Sequence, residues 1–142
     1  MNIEEVQSLC KQLPGVTEDI KWGSDLCFSV GGKMFLVTGL EQSPITASFK
    51  VTDEQFEELS AKPGFKPAPY MAKHKWIYVN NISLMSKQEW TFYIKQSYEL
   101  VKQKLPKKLQ QQLKINIDLR LGWSADSKQF HQRKFSFTYV TN

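Results

Sequence analysis

A pair of glycines separates two stretches in which apolar and polar residues alternate. Residues 26–30 precede Gly31-Gly32, and residues 33–38 follow it. Alternation with a period of two is typical of strands, and adjacent glycines supply the positive φ angles that a tight hairpin needs. The pattern therefore predicts two antiparallel strands joined at this turn, and any fold proposed for the chain has to contain a sheet.

Further alternating stretches extend the predicted sheet. Residues 45–50 and residues 75–79 predict two more strands, and residues 82–84 predict a short additional one. Late in the chain, residues 115–121 and residues 135–140 alternate in the same way. They predict two strands joined by a polar stretch.

Three helices are predicted from N-cap side chains that are followed three positions later by Glu or Gln, the pattern of a capping box. The pairs are Asn2 with Glu5, Thr52 with Gln55, and Ser86 with Glu89. The helices are expected to end before Pro14, near Ser60 and at Pro106. Hairpin-linked strands with helices at the ends predict an α+β fold, a twisted antiparallel sheet with helices packed on one face.

Composition limits the class of protein. The 142 residues are 41% hydrophobic and 23% charged, which fits one globular domain. Cys10 and Cys27 lie far apart and residues 1–20 lack an apolar run, so a reduced cytoplasmic protein is predicted. No stretch approaches the roughly 18 apolar residues of a membrane span, so no membrane partner is predicted.

Charge divides unevenly along the chain. Residues 1–58 hold ten acids and four bases, whereas residues 59–142 hold four acids and fifteen bases. No Asp or Glu occurs between Lys62 and Lys87. Such a basic segment attracts nucleic acid or an acidic partner, and a solvated lysine-rich face explains the same composition.

Catalytic and metal-binding patterns have little support. Cys10, Cys27, His74 and His131 lack the spacing of metal ligands, so no metal or cofactor is predicted. A nucleophilic pair of Cys27 and His74 belongs to no motif, and residues 31–33 lack the spacing of a phosphate-binding loop. The chain is therefore predicted not to be an enzyme.

Nucleic-acid binding accounts for more of the sequence. Residues 66–79, KPAPYMAKHKWIYV, interleave lysines with aromatic residues, and lysines also follow the third helix. Lysines contact phosphates, and exposed aromatic rings stack on bases. The basic stretch contains no Arg, the commonest base-reading residue, which predicts low sequence specificity. Trp76 shares a strand face with Tyr78 and is expected to lie in the core.

The order of these motifs resembles the MmcQ/YjbR family over residues 1–112. The segments that carry the resemblance are LPGVTEDIKWG (13–23), FSVGGKMF (28–35), the strand ending in Lys50, PGFKPAPYMAKHKWIYV (63–79) and SYELVKQKLPKK (97–108). The resemblance implies a fold similar to CyaY, the bacterial frataxin, and DNA binding through a double-wing arrangement of strands and loops. The residues that match the family by position are Trp22, Gly23, Lys33, Lys50, Pro69, Tyr70 and Trp76. Of these, the lysines and Tyr70 are carried over to binding, and Pro69 and Trp76 are interpreted as structural.

We therefore predict a cytoplasmic DNA-binding module of low sequence specificity without catalytic activity. The alternative is a protein-interaction adaptor, in which the acidic amino-terminal part and the basic remainder contact a partner or a second copy. Residues 1–114 are predicted as the family-like domain, and residues 115–142 as an extension that forms a β-hairpin or adds strands to the sheet. The predicted nucleic-acid contacts are Lys33, Lys50, Lys66, Tyr70, Lys73, His74, Lys75, Lys107 and Lys108.

Overall fold

The computed structural model describes residues 1–41 and 43–120, with side chains through residue 113. The chain divides into two compact units, Met1–Leu105 and a second unit that begins at Pro106. The first unit contains the helices α1 (Ile3–Lys11), α2 (Asp53–Ser60) and α3 (Lys87–Lys102). Its strands are β1 (Val16–Lys21), β2 (Asp25–Val30), β3 (Lys33–Gly39), β4 (Thr46–Lys50), β5 (Phe65–Pro67) and β6 (Trp76–Val79). The second unit contains α4 (Lys107–Arg120).

The six strands form one antiparallel sheet in the order β1-β2-β3-β4-β6-β5. In the first unit, the helices α1, α2 and α3 pack against strands of this sheet. The predicted α+β class is therefore confirmed. The predicted hairpin turn is also present, since Val30 pairs with Lys33 across Gly31 and Gly32, whose φ angles are 57° and 79°. The positive φ of Gly31 favours glycine, and a Cβ atom there would come within 2.6 Å of the Leu105 side chain, which packs against the turn.

The three predicted capping boxes are all present. In α1, the Glu5 backbone N–H donates to Asn2 Oδ1 at 2.9 Å, and the Asn2 N–H donates to Glu5 Oε1 at 3.1 Å. The same reciprocal pair starts α2 at Thr52 and α3 at Ser86. These side chains pair backbone donors that the first turn of a helix leaves free, and they therefore fix where each helix begins.

Two edge strands lie where no strand was predicted. In β1 the residues from Thr17 to Ile20 are exposed, so the strand needs no apolar alternation to be stable at the edge. β5 is only three residues long and ends at Pro67, which cannot donate to a further strand. Alternating apolar residues reveal a strand only when one of its faces is buried. β1 and β5 bury few residues, so the sequence pattern did not predict them.

Two predicted strands are wrong. Residues 82–84 form a 3₁₀ turn, because the Asn81 side chain accepts from the Ser83 N–H at 2.8 Å and starts a turn there. Residues 115–120 belong to the helix α4 rather than to a strand of a β-hairpin. Pro106 and the Lys, Leu and Gln residues that follow it favour a helix, and a helix once started extends at low cost through a short alternating stretch. The predicted strand at residues 135–140 lies outside the described residues.

Helix α3 anchors the core of the first unit. The Trp90 indole Nε1 donates to the Ile82 carbonyl at 2.7 Å, and its ring meets the Phe49 ring edge-on with the centroids 5.4 Å apart. The amino-terminal part of α3 therefore contacts both β4 and the segment after β6. Towards the other end, the Tyr98 ring packs edge-on against Phe35 on β3 at 5.5 Å. These aromatic contacts fix α3 across the sheet.

Ser97 links α3 to two strands through one buried hydroxyl group. Its Oγ donates to the Phe35 carbonyl at 2.5 Å and accepts from the Lys50 backbone N–H at 3.0 Å. Replacing Ser97 with Ala leaves both backbone groups without this partner, so we expect the free energy of unfolding to fall by about 1–3 kcal/mol in urea denaturation. Ser8→Ala, on the exposed face of α1, is the control. Equal stability of the two variants would contradict the predicted role of the Ser97 hydroxyl.

Candidate nucleic-acid interface

The strand order brings basic residues from separate parts of the sequence to one end of the sheet. β4 ends at Lys50, β6 begins at Trp76, and these two residues pair directly. The turn before Lys33 lies at the same end, because β3 runs antiparallel to β4 and parallel to β6. Neighbouring strands are about 4.8 Å apart, so residues at these strand ends are close in space.

Helix α3 adds a further lysine to this end. Leu105 follows the helix, and its side chain packs against Gly31 in the β2–β3 turn. Lys104, the residue before Leu105, therefore lies at the same end of the sheet as Lys33. The positive charge of Lys104 also acts on Lys50. We call this group the basic end of the sheet. It consists of Lys33, Lys50, Lys73, His74, Lys75 and Lys104.

Residues 68–75 form a closed loop at the basic end, between β5 and β6. The Ala68 N–H donates to the Trp76 carbonyl at 3.0 Å, which closes the base of the loop. The Lys50 ammonium donates to the His74 carbonyl at 2.5 Å, and the Val51 N–H donates to the Lys75 carbonyl at 2.9 Å. These hydrogen bonds tie the loop to the end of β4.

The cations of the basic end differ in how they are used within the fold. The Lys75 ammonium lies 4.9 Å from the centroid of the Phe56 ring, a cation–π contact, while Lys33 and Lys73 are exposed. Among the described residues, none of the basic-end lysines forms an ion pair with a carboxylate. The exposed Lys33, Lys73 and Lys104 are therefore the members whose charge is most accessible to an anion.

The pKa of Lys50 reflects its burial and a neighbouring positive charge. Burial first, and then the charge of Lys104, lower the pKa of the Lys50 ammonium below its usual value, and Asp53 partly opposes them. A neighbouring cation lowers a lysine pKa because it disfavours the protonated form. An incoming phosphate would relieve the same repulsion.

Three of the predicted contacts, Lys66, Lys107 and Lys108, are not part of the basic end as defined. Lys66 is on the edge strand β5 and pairs with Tyr78, two residues further along β6 than Trp76, and its ammonium lies 5.1 Å from the centroid of the Tyr78 ring. Lys107 and Lys108 are exposed in the first turn of α4 and belong to the second unit. The prediction that they share one binding surface with the 68–75 loop stays a prediction.

Exposed aromatic side chains occur at both ends of the sheet. Tyr70 is 99% exposed on the 68–75 loop, whereas Trp76 is buried, as expected, and Tyr78 is half-buried. The sequence alone favours a core or rim role for Trp22, just before the first predicted strand. The structure places it at the tip of the β1–β2 hairpin, 70% exposed with φ 51°, at the end opposite the basic end. Only recognition of β1 as a strand could have predicted this position.

The cysteines are unsuited to nucleophilic chemistry. Burial, followed by the Asp25 carboxylate, raises the pKa of Cys27 to about 11, and burial also raises the pKa of Cys10. Both remain thiols at neutral pH, and the thiolate is the reactive form.

Over the described ranges, no group of three or more His, Cys, Asp or Glu side chains could hold a metal ion.

The fold and the basic end together define a class of protein, an antiparallel α+β domain with cations concentrated at one end of its sheet. Residues 11–100 match the family model described as YjbR, which covers more than half of the chain. The chain therefore belongs to the YjbR family, as the resemblance in the sequence predicted. No curated protein matches it.

Among the solved structures that resemble this chain, two illustrate the likeness. A crystal structure of a Deinococcus radiodurans protein with the domain DUF419 is 28% identical with a TM-score of 0.71, and the match covers 79% of this chain and 87% of that one. A Pseudomonas syringae protein solved by structural genomics is 21% identical with a TM-score of 0.59, covering 70% of this chain and 98% of that one. The second likeness shows the fold alone. Within the described residues, no helix has the length and apolar character needed to cross a membrane.

Proposed function

We propose that this protein is a DNA-binding module of low sequence specificity, without catalytic activity, that contacts phosphates through the basic end of the sheet. The observation that carries the proposal is the convergence of Lys33, Lys73 and Lys104 from three separate segments onto one end of the sheet. Phosphate contacts by lysine give binding that depends on charge and hardly on base sequence.

The types of side chain at the basic end support low specificity for DNA sequence. The lysines and the histidine there belong to the ends of two strands, to the 68–75 loop and to the segment after α3, so none of them lies on a long helix that could enter a groove. Sequence readout needs several side chains that reach base edges together, most often with Arg. The Lys-rich basic end instead offers point charges that suit a phosphate backbone.

Fluorescence anisotropy with labelled 20-base-pair duplexes tests the proposal. At about 50 mM salt we expect a dissociation constant in the micromolar range or below, with similar values for two unrelated sequences. Absence of any anisotropy change at this salt concentration would contradict the proposal. A nuclease-resistant protein complex isolated together with that negative result would favour the adaptor function instead.

A further inference from the structure

We infer that the Tyr70 ring is a stacking platform for an unpaired nucleobase, so that the basic end prefers single-stranded DNA to a duplex. The inference rests on the proposed function, because the cations of the basic end supply the phosphate contacts. It adds the class of ligand, single-stranded DNA whose unpaired bases can stack on a protein side chain.

The position of Tyr70 has no explanation in packing. At 99% exposure the ring gains nothing from burial, although burying an aromatic ring is the main stabilising contribution such a side chain makes. The phenol is instead surrounded by solvent on the 68–75 loop.

Backbone preference does not account for Tyr70 either. The Met71 N–H donates to the Ala68 carbonyl at 3.1 Å, so Pro69 and Tyr70 are the central residues of a four-residue turn. Proline followed by a residue with positive φ is the pattern of a type II turn, and the φ of Tyr70 is 65°. Glycine is favoured at that second position, so the fold holds a bulky ring where a side chain is disfavoured.

The loop presents this ring on a fixed base. The hydrogen bond from the Ala68 N–H to the Trp76 carbonyl and the one from Lys50 to the His74 carbonyl brace both sides of the loop. A backbone that is braced before binding loses little freedom when a ligand stacks on a ring that it carries. Lys73 follows three residues after Tyr70 and is exposed, so the loop that carries the ring also carries a cation for a phosphate.

An exposed ring beside cations is the arrangement that binds single strands. Base–aromatic stacking tolerates any base, and a positively charged surface follows the backbone. In a duplex the bases are already stacked on each other, so the Tyr70 ring has no base face to contact except at an end. The ring therefore adds affinity only for unpaired bases.

The test compares three labelled 20-mers, a mixed-sequence single strand, its duplex and an abasic strand with the same number of phosphates. Tyr70→Gly removes the ring and suits the turn, so its unfolding midpoint is expected to be at least that of the wild type. We expect its affinity for the single strand to fall on the order of 10-fold, with duplex and abasic binding unchanged. Tyr70→Phe retains a ring that stacks and is expected to bind as the wild type does.

The outcomes separate this inference from the proposed function. If Tyr70→Gly weakens binding to all three ligands equally, or to none, the ring is not a base platform, while the proposed function stands. If the wild type binds the single strand no more tightly than the abasic strand, the inference is likewise overturned. If the wild type binds none of the three at about 50 mM salt, the proposed function itself fails.

Discussion

Replacing Trp90 with Ala is expected to lower the free energy of unfolding by about 3–5 kcal/mol. The side chain is 1% exposed, and its removal opens a cavity beneath the sheet next to Phe49. It also leaves the Ile82 carbonyl without its indole donor. Domains are commonly stable by only about 5–15 kcal/mol, so this one change removes a large share of the total. Urea denaturation followed by circular dichroism measures the loss.

Trp90→Phe is the matched variant for this prediction. It keeps an aromatic ring against Phe49 but cannot donate to the Ile82 carbonyl, so a smaller loss than for Ala is expected. A loss below about 1 kcal/mol for Trp90→Ala would mean that α3 is not anchored through this residue. Equal losses for Phe and Ala would assign the whole effect to the hydrogen bond.

Replacing Lys33, Lys73 and Lys104 together with Gln is expected to weaken duplex binding by a factor on the order of 10² to 10³ at about 0.1 M salt. The estimate follows from counterion release, in which each phosphate contact contributes a factor of roughly 10 at that salt concentration. These three lysines are exposed, so their replacement removes charge with little effect on the core. Anisotropy titrations with the labelled duplex measure the change in affinity.

A second triple variant controls for net charge. Lys21, Lys62 and Lys87 carry the same total charge but lie away from the basic end, at the end of β1, after α2 and at the start of α3. Each triple replacement lowers the net charge of +5 by three. We expect the control variant to bind DNA nearly as well as the wild type. An equal loss in both variants would show that overall charge, rather than the basic end, governs binding.

The sequence predicts the interior of this fold better than its edges. The Gly31-Gly32 hairpin and the capping boxes were predictable because turn and cap chemistry are local and depend on residues a few positions apart. The edge strand β1 was not, since its exposed residues leave no burial pattern. The late alternation at residues 115–120 was misleading because a helix that starts at Lys107 continues through it.

Most residues of the candidate site could be predicted from the sequence, but their convergence at one end of the sheet could not. The acid-free stretch that contains Lys73 and Lys75 is visible in the sequence, and so is its resemblance to a known family. That Lys33 and Lys104 join it depends on strand order and on the packing of Leu105 at Gly31, which are long-range features. The positive φ of Tyr70 was likewise not predicted, because the sequence has tyrosine where a type II turn favours glycine.

The salt dependence of duplex binding tests the basic end most directly. The logarithm of the association constant, plotted against the logarithm of the salt concentration, has a slope that reflects the number of neutralised phosphates. For the Lys33, Lys73 and Lys104 triple variant we predict a slope shallower than that of the wild type by about 2.7, or roughly 0.9 for each phosphate that the variant no longer neutralises. The control triple variant is predicted to keep the wild-type slope. Equal slopes for the wild type and the basic-end variant would contradict phosphate binding at the basic end.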